Sequence, residues 1–333
     1  MAPIVCVDQP APERHAERGY PAPVALRFAY NTNGLAHHRP ADALRLLADL
    51  GYGGAAVTPD VGALDPLGDW RAEAGRLRSL AERLGLALTL ESGARYLLDP
   101  RRKHAPSLLD PDPAQRRRRR ELLLAHLELA QALGCPGLSI WAGQAPGGLS
   151  GDASPGPADP QVPQAQDLDP QVLEALWSRL SEELSALLEA GAQRGVALWF
   201  EPEPGMFIER PAGYRLLRER LGPAGEALGL TLDVGHCLCT GDLPVARVIA
   251  DQARSLRHVH LADIRGGVHQ HLPFGQGDLD LREVLAALAE ADFRGLCAVE
   301  LSRDSHRGPE AAAEALAALQ AATPPAHQRR GAH

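Results

Sequence analysis

The sequence predicts an α/β protein built as a single (β/α)8 barrel, also called a TIM barrel, and three observations support that prediction. Along its 333 residues, eight short apolar runs of strand-like composition alternate with eight segments whose apolar residues recur at helical spacing. Hydrophobic residues make up 45% of the chain, which is enough for one large core. The Gly-x-Gly-x-x-Gly fingerprint of an open dinucleotide-binding sheet follows none of the runs, so a closed barrel is favoured.

The first half of the chain supplies four strand–helix units. Strands are predicted at residues 24–30, 54–58, 86–91 and 137–141, and the helices that follow them at residues 41–50, 71–84, 116–133 and 170–194. Pro59 ends the second strand, because proline has no amide hydrogen to give to a sheet. Long loops follow the third strand (92–113) and the fourth strand (143–169), and loops of such length usually carry lids or binding residues.

The second half supplies four more units. Strands are predicted at residues 196–201, 228–233, 256–261 and 295–301, with helices near residues 212–221, 244–254, 281–289 and 309–319. The fifth strand must stop at Glu201, because the prolines of the sequence EPEPG that begins there cannot continue a buried strand. A third long loop follows the seventh strand and reaches Gly277. Residues 1–22 and 323–333 are predicted to be tails, which leaves residues 23–322 for the barrel.

Composition and charge narrow the function classes. The formal net charge of -8 argues against broad binding to nucleic acid or to an anionic membrane. No apolar run approaches the roughly 20 residues that a membrane span needs, and the N-terminal residues lack the apolar segment of a secretory signal. Five cysteines without framework spacing indicate reduced thiols, so a cytoplasmic protein is expected.

Four consecutive strands of the second half end in a residue that can bind a metal ion. The motifs WFE, TLD, HVH and AVE place Glu201, Asp233, His260 and Glu300 at the carboxyl ends of these strands, where a (β/α)8 barrel carries its chemistry. Carboxylates and an imidazole suit a divalent cation such as Mn²⁺, Co²⁺, Mg²⁺ or Zn²⁺. Any one of these residues could instead cap a helix or fill the core. Four together favour a shared cation, because buried like charges at one rim repel unless something compensates them.

Further polar residues are predicted at the same rim. His236 lies just past the sixth strand, within reach of a substrate or a metal ion. His269 and His271 alternate in the loop after the seventh strand, so an extended backbone would point both the same way. Arg265, in the same loop, could hold an anionic or hydroxylated substrate through its guanidinium. A solvated turn remains the alternative for this loop.

The motifs EPEPGMFIE, LDVGH, HVHLAD, HLPFGQG and VEL resemble those of the xylose-isomerase-like barrel superfamily of sugar-phosphate isomerases and epimerases. The resemblance covers roughly residues 24–319 and extends, more distantly, to endonuclease IV. It implies a TIM barrel in which Glu201, Asp233, His260 and Glu300 bind one divalent metal ion. It also implies that His236 and Arg265 contact the substrate.

The endonuclease branch raises the question of a second metal ion. Its seventh-strand loop carries two further zinc ligands in a pattern similar to His269-Gln-His271, which implies a second-metal or substrate role for these histidines. That branch also needs histidines after the third and fourth strands, where this chain has Glu91 and Trp141. Glu91 could replace one missing ligand, so a two-metal site stays open. Trp141 and Asn31, which follows the first strand, are expected to contact the substrate.

The predicted activity is a metal-dependent isomerisation or epimerisation of a sugar, a sugar phosphate or a polyol through an enediolate. Glu201 and Glu300 would supply the base and the acid. A dehydratase of the inosose or dehydroshikimate type on the same scaffold is the main alternative, with His271 or His236 as an extra acid. A phosphodiesterase and a non-catalytic metabolite-binding barrel rank below it. The expected partner is a small carbohydrate, without nucleic acid or membrane, and a homo-oligomer is compatible with these features.

Overall fold

The computed structural model describes residues 25–59, 64–93, 95–144 and 168–323, and these residues form one closed barrel of eight parallel strands in chain order. The strands are β1 (Arg27–Asn31), β2 (Gly54–Val57), β3 (Ala87–Glu91), β4 (Gly137–Ile140), β5 (Ala197–Phe200), β6 (Gly229–Asp233), β7 (Leu256–Leu261) and β8 (Leu296–Val299). β8 pairs in parallel with β1 and closes the barrel. The predicted single-domain (β/α)8 fold is therefore confirmed.

Nine α-helices surround the barrel in the described part of the chain. They are α1 (Pro40–Leu50), α2 (Arg71–Leu84), α3 (Pro113–Leu133), α4 (Pro170–Arg194), α5 (Pro211–Arg220), α6 (Val234–Thr240), α7 (Val245–Gln252), α8 (Leu281–Glu290) and α9 (Gly308–Ala322). The side chains of Asp112, Asp169 and Asp280 cap the first turns of α3, α4 and α8. Helix α6 was not predicted, since the sequence suggested only one helix between β6 and β7. None of these helices is long and apolar enough to cross a membrane.

The predicted tails lie almost wholly outside the described residues, as does most of the long loop after β4, so the domain boundaries stay predictions. Thr323 is the exception, because its hydroxyl donates a hydrogen bond of 2.7 Å to the carbonyl oxygen of Leu319. Within the described residues, loops also follow β3 and β7 as predicted, over residues 92–112 and 262–280.

One large ring lies in the amino-terminal half of the barrel interior. The indole of Trp199 on β5 lies between two neighbouring strands that carry glycine at the facing positions. A Cβ atom at Gly137 would lie 2.1 Å from this ring and one at Gly229 would lie 2.6 Å from it, so both positions require glycine. His258 on β7 stacks on the indole with a centroid distance of 5.6 Å. Trp199 and His258 are thus part of the barrel core, beside a cavity of about 280 Å³ that Trp199, Arg257 and Leu296 line at this end of the barrel.

The alternation of side chains along each strand determines which residues lie above the Trp199 ring inside the barrel. Side chains of a strand alternate between the two faces of the sheet, so residues two apart share a face. Trp199 and Glu201 therefore both point into the barrel, and so do Thr231 and Asp233, which makes the motifs WFE and TLD inward–outward–inward triplets. The hydroxyl of Ser139 donates to Thr231 across the interior, over 2.9 Å. The next layer, at the carboxyl ends, is where the acidic residues lie.

One buried histidine outside the barrel mouth provides a test of the packing. His126 on α3 is completely buried, and burial lowers its pKa to about 4, whereas histidine in an unfolded chain titrates near ~6.5. Between these pH values the unfolded chain binds the proton more strongly. The stability that this residue contributes is therefore intact above pH ~6.5 and is lost as the pH falls toward about 4.

We expect His126→Leu to make the protein less sensitive to acid. Each pKa unit corresponds to about 1.4 kcal/mol, so the loss of unfolding free energy between pH 7 and pH 4.5 should be about 2–3 kcal/mol smaller than in the native chain. Urea denaturation at the two pH values measures it. The exposed His37→Leu is the matched control and should not alter the acid dependence. Equal losses in the His126 variant and the native protein would contradict the assignment.

Candidate functional site

The carboxyl-end layer of the barrel brings together the four residues expected to share a cation. Glu201, Asp233, His260 and Glu300 each contribute one ligand atom to a group whose members lie within 4.8 Å of one another. His260 Nδ1 is 2.9 Å from Glu201 Oε1 and 3.2 Å from Glu300 Oε2. The sequence placed these residues at four strand ends, and closure of the barrel makes those ends neighbours.

Backbone pairing holds the group in place. Asp233 and His260 are register partners across β6 and β7. The amide of Glu201 donates to the carbonyl oxygen of Ile140 and the amide of Glu300 to that of Leu261, which extends the sheet by one residue beyond β5 and β8. These four side chains therefore project from sheet-bonded backbone rather than from loops, which fixes their directions.

Asp233 shows how a helix cap and a ligand can be the same residue. Its Oδ1 accepts hydrogen bonds from the amides of Gly235 (2.7 Å) and His236 (3.1 Å) and so caps α6. Its Oδ2 is buried and has no hydrogen-bond partner. An unsatisfied buried carboxylate oxygen is costly, so a cation at this oxygen would remove a penalty that the fold otherwise carries. This orphaned oxygen is the observation that best fits a metal ion.

The electrostatics of the layer point the same way. Burial raises the pKa of Glu201 to about 7, with Glu300 and Glu91 adding to the rise and His260 opposing it. Burial likewise raises the pKa of Glu203, helped by the charges of Glu201 and Glu300. Burial lowers the pKa of His260, but the facing carboxylates outweigh it and the net shift is upward. Crowded negative charge with strongly shifted pKa values is typical of a functional centre.

Glu91, at the end of β3, lies on the far side of His260. Its Oε1 is 3.2 Å from His260 Nε2 and 3.1 Å from His258 Nε2, and all three side chains are buried. Burial would raise the pKa of Glu91, but the two imidazoles lower it overall. These three residues could also hold a metal ion by their spacing. Because His260 turns Nδ1 to Glu201 and Nε2 to Glu91, the simplest role of Glu91 is to orient that imidazole.

Three further histidines form a second group beside the first. His236, His269 and His271 each offer a nitrogen to a set within 4.8 Å, and His236 Nε2 lies 3.0 Å from His269 Nε2. Asp233 Oδ2 lies between the two groups, 3.5 Å from His236 Nε2 and 3.7 Å from His271 Nε2. Burial lowers the pKa of His236 to about 3, helped by His271. The structure thus brings together the histidines that the loop sequence had suggested.

Asn33 is a residue that the sequence analysis did not single out. Its amide nitrogen donates to Glu300 Oε1 over 2.9 Å, so one oxygen of Glu300 is held while the other faces His260. Asn31, which the sequence analysis had singled out, uses its side-chain oxygen to accept two hydrogen bonds. They come from the Thr58 hydroxyl (2.7 Å) and from the backbone amide of Asn33 (3.1 Å). The signal was present in the pair of asparagines around Thr32, directly after β1.

Asp263 and its glycines shape the loop after β7. The buried carboxylate of Asp263 accepts hydrogen bonds from the amides of Ile264, Gly275, Gly277 and Leu279. A Cβ atom at Gly277 would lie 2.4 Å from Asp263 Oδ1, so only glycine fits there. This anchor carries His269 and His271 to the barrel mouth. The role of Asp263 was also missed, because a carboxylate in a polar loop is unremarkable in sequence.

A cavity of about 250 Å³ opens above these residues. Asn31, Trp141 and His236 line it, together with the carboxylates and the loop histidines. Glu203, in the same EPEPG segment as Glu201, lines it as well and lies 3.9 Å from His236 Nε2. Arg265 does not line it: its side chain is exposed and donates to the carbonyl oxygen of Gln276. The substrate contact expected of Arg265 therefore finds no support in its position.

The fold and this centre define a (β/α)8-barrel protein with a carboxylate- and imidazole-lined cavity at the carboxyl ends of its strands. Residues 44–322 match the model of one family, the xylose isomerase-like TIM barrel, and the chain belongs to that family.

Individual relatives are more distant. The rhizopine catabolism protein MocC of Rhizobium meliloti is 28% identical over 204 residues, which are 56% of this chain and 58% of that protein. Inosose dehydratase 1 of Bacillus cereus is 26% identical over 152 residues, 40% of this chain and 50% of that protein. The chain thus spans 58% of the length of the first relative and 50% of the second.

A solved structure extends the comparison to most of the chain. The apo form of 3-keto-D-glucoside 4-epimerase from E. coli superposes with a TM-score of 0.68 over 89% of this chain and 100% of that chain. The sequence identity is 17%, so this similarity concerns the fold alone.

Proposed function

We propose that this protein is a sugar-modifying enzyme, a divalent-metal-dependent isomerase or epimerase of a sugar, a sugar phosphate or a polyol. The observation that carries the proposal is the convergence of Glu201, Asp233, His260 and Glu300, with one oxygen of Asp233 buried and unpartnered. Membership of the xylose isomerase-like family supports it, as does the structural similarity to a sugar epimerase.

The donor set fits a divalent ion of the Mn²⁺, Co²⁺, Mg²⁺ or Zn²⁺ type. Three carboxylates and one imidazole nitrogen lie within 4.8 Å of one another. Carboxylate oxygens suit Mg²⁺ and Mn²⁺, and an imidazole nitrogen also suits a transition metal such as Zn²⁺. When bound, such an ion polarises a carbonyl and a neighbouring hydroxyl oxygen and stabilises the negative charge of an enediolate. The ion would be held by Glu201, Asp233, His260 and Glu300.

The proton transfers are assigned to Glu201 and Glu300. Glu201 follows β5 and Glu300 follows β8, which are three strands apart in the closed barrel, and both carboxylates face His260 Nδ1. One carboxylate removes the proton from the carbon beside the carbonyl group and becomes neutral. The other carries a proton at the start as a carboxylic acid, gives it to the enediolate and becomes a carboxylate. If the proton returns to the opposite face of the same carbon, the configuration of that carbon is inverted. If the proton returns to the neighbouring carbon, an aldose and a ketose are interconverted. Asn33 keeps Glu300 aimed at the centre throughout.

A dehydratase is the second candidate, because one specific feature favours it. Loss of a β-hydroxyl group after enolisation needs an additional acid, and the cavity holds Glu203, His236 and His271 beside the first carboxylates. Burial lowers the pKa of His271, but Asp233, Glu300 and Glu203 outweigh it, so the net shift is upward and this imidazole carries a proton that it could donate. The similarity to an inosose dehydratase supports the same candidate.

Deuterium exchange distinguishes these functions. The protein, loaded with Mn²⁺ or Co²⁺, is incubated in D₂O with a panel of ketoses, ketose phosphates and inososes. Exchange of a substrate C–H without ultraviolet absorbance supports the isomerase or epimerase, whereas an enone chromophore supports the dehydratase. Retained metal without exchange or absorbance across the panel contradicts both. Elemental analysis in parallel shows whether His236, His269 and His271 hold a second ion.

We expect Glu91→Gln to weaken metal binding without removing a ligand. Partners that orient a ligating histidine typically contribute about 10–100-fold in metal affinity, and Glu91 is the carboxylate next to His260 Nε2. Competition with a chromophoric chelator measures the dissociation constant. The exposed Glu290→Gln is the matched control and should bind metal like the native protein. Native affinity in the Glu91 variant would show that the carboxylate has no part in holding the ion.

A further inference from the structure

The upper part of the cavity carries a charge opposite to that of its floor. Glu91, Glu201, Glu203 and Glu300 line the floor, whereas Arg95, Lys103 and Arg303 line the part formed by loops beyond the strands. We call these three residues the cationic wall. Arg95 and Lys103 belong to the loop between β3 and α3, and Arg303 to the 3-10 turn (Ser302–Arg307) after β8.

Arg95 and Lys103 carry positive charges that no carboxylate among the described residues neutralises. Neither Arg95 nor Lys103 forms an ion pair with a carboxylate among the described residues. Asp99, one acidic residue of their own loop, is paired with Arg102 at 2.7 Å. A cation that lines a cavity and has no protein partner is available to a ligand.

The surroundings of His104 show how strongly positive this region is. Burial, together with the charges of Lys103, Arg119 and Arg95, lowers the pKa of His104 to about 3. His104 packs edge-on against Trp141, with ring centroids 5.0 Å apart. The buried Arg119 guanidinium lies 5.6 Å from the centroid of the same Trp141 ring. The imidazole of His104 is therefore neutral at pH 7, and the positive charges beside it are those of Lys103, Arg119 and Arg95.

Resting on the function proposed above, we propose that the substrate carries an anionic group, a carboxylate or a phosphate, away from the reacting carbons, and that Arg95 and Lys103 bind it. The floor would repel such a group, because Glu201, Glu203 and Glu300 surround the reacting position. The carbonyl and hydroxyl groups therefore face the floor while the anion lies against the cationic wall. This opposition orients the substrate in a single direction. In this arrangement Arg95 and Lys103 make the contact with an anion that the sequence had suggested for Arg265.

Three ligands that differ only at carbon 6 test the inference: D-fructose, D-fructose 6-phosphate and D-fructuronate. Isothermal calorimetry with the metal-loaded protein gives each dissociation constant, and comparison of the two anions shows whether phosphate or carboxylate fits better. We expect both anions, or one of them, to bind at least about tenfold more tightly than D-fructose. Arg95→Gln and Lys103→Gln should each weaken anion binding on the order of 10- to 100-fold and leave D-fructose unchanged. Arg101→Gln, an exposed neighbour in the same loop, is the matched control.

Two results would overturn the inference: anions that bind no better than D-fructose, or variants that weaken all three ligands equally. Its failure is separable from that of the proposed function. Deuterium exchange into D-fructose without any preference for anions would retain the enzyme and remove the cationic wall as a subsite. Binding of an anion that depends on Arg95, without exchange in any ligand, would retain the subsite and remove the isomerase.

Discussion

Replacement of Glu300 by glutamine is expected to lower turnover by about 10²–10⁴-fold while the barrel stays folded, because that is the usual contribution of a positioned proton-transfer group. Glutamine keeps the size of the side chain, and its amide oxygen can still accept the hydrogen bond from Asn33. It cannot carry the proton that moves between carbons. The same reasoning applies to Glu201→Gln. Initial rates of deuterium exchange measure the loss, and circular dichroism checks the fold.

Metal content must be measured on the same samples, since both residues are also proposed ligands. A variant that retains its ion and loses turnover has lost the proton transfer, whereas a variant that loses both has lost the site. The exposed Glu310→Gln on α9 is the matched control and should behave like the native protein. Turnover close to native in Glu201→Gln or Glu300→Gln, with metal bound, would eliminate the acid–base assignment.

The strand-end residues could be placed from sequence because two regularities act together. Alternation along a strand fixes which residues share a face, and barrel closure brings the carboxyl ends of all strands to one rim. Glu201 and Glu300 are 99 positions apart along the chain, yet both face His260. No knowledge of the loops was needed for this. Only the fold class had to be right, and the pattern of eight alternating units was enough for that.

Loop residues were harder to place because their directions depend on hydrogen bonds that join distant parts of the loop. Arg265 lies in the loop that Asp263 closes through the amides of Gly275, Gly277 and Leu279. Its guanidinium donates to the carbonyl oxygen of Gln276, and Arg265 is not among the residues that line the cavity. Lys103 belongs to a loop whose sequence has no regular alternation of apolar and polar residues. The direction of its side chain could not be predicted, and the structure shows that it lines the cavity. Periodicity predicts strands and helices, but it carries no such information for loops.

Alternatives that the sequence presents as exclusive can both be true. A carboxylate at the end of a strand was read either as a helix cap or as a ligand, and Asp233 caps α6 through Oδ1 while Oδ2 is left for a cation. The helix itself was missed for a related reason. Its seven residues are too few for a helical period to be visible, and the cap is what starts it.

Removal of divalent ions is expected to abolish turnover and to lower the thermal midpoint of unfolding. A ligand at about 1,000 times its dissociation constant stabilises the native state by about 4 kcal/mol, which for a domain of this size corresponds to a shift on the order of 10 °C. The direction follows from the site, because the clustered carboxylates repel one another and the buried Asp233 Oδ2 has no hydrogen-bond partner. Differential scanning calorimetry before and after chelation, and again after Mn²⁺ is restored, measures the shift.

The matched variant for this prediction is His260→Gln, which removes the imidazole that faces Glu201 and Glu300. Its midpoint should be insensitive to the chelator, because the donor set is incomplete. The exposed His306→Gln should retain the full native response. If chelation changed neither the unfolding midpoint nor the activity of the native protein, then Glu201, Asp233, His260 and Glu300 would share no ion. Their convergence would then have to be explained by protons alone, with Glu201 or Glu203 neutral and His260 charged, an arrangement consistent with the directions in which their pKa values are shifted.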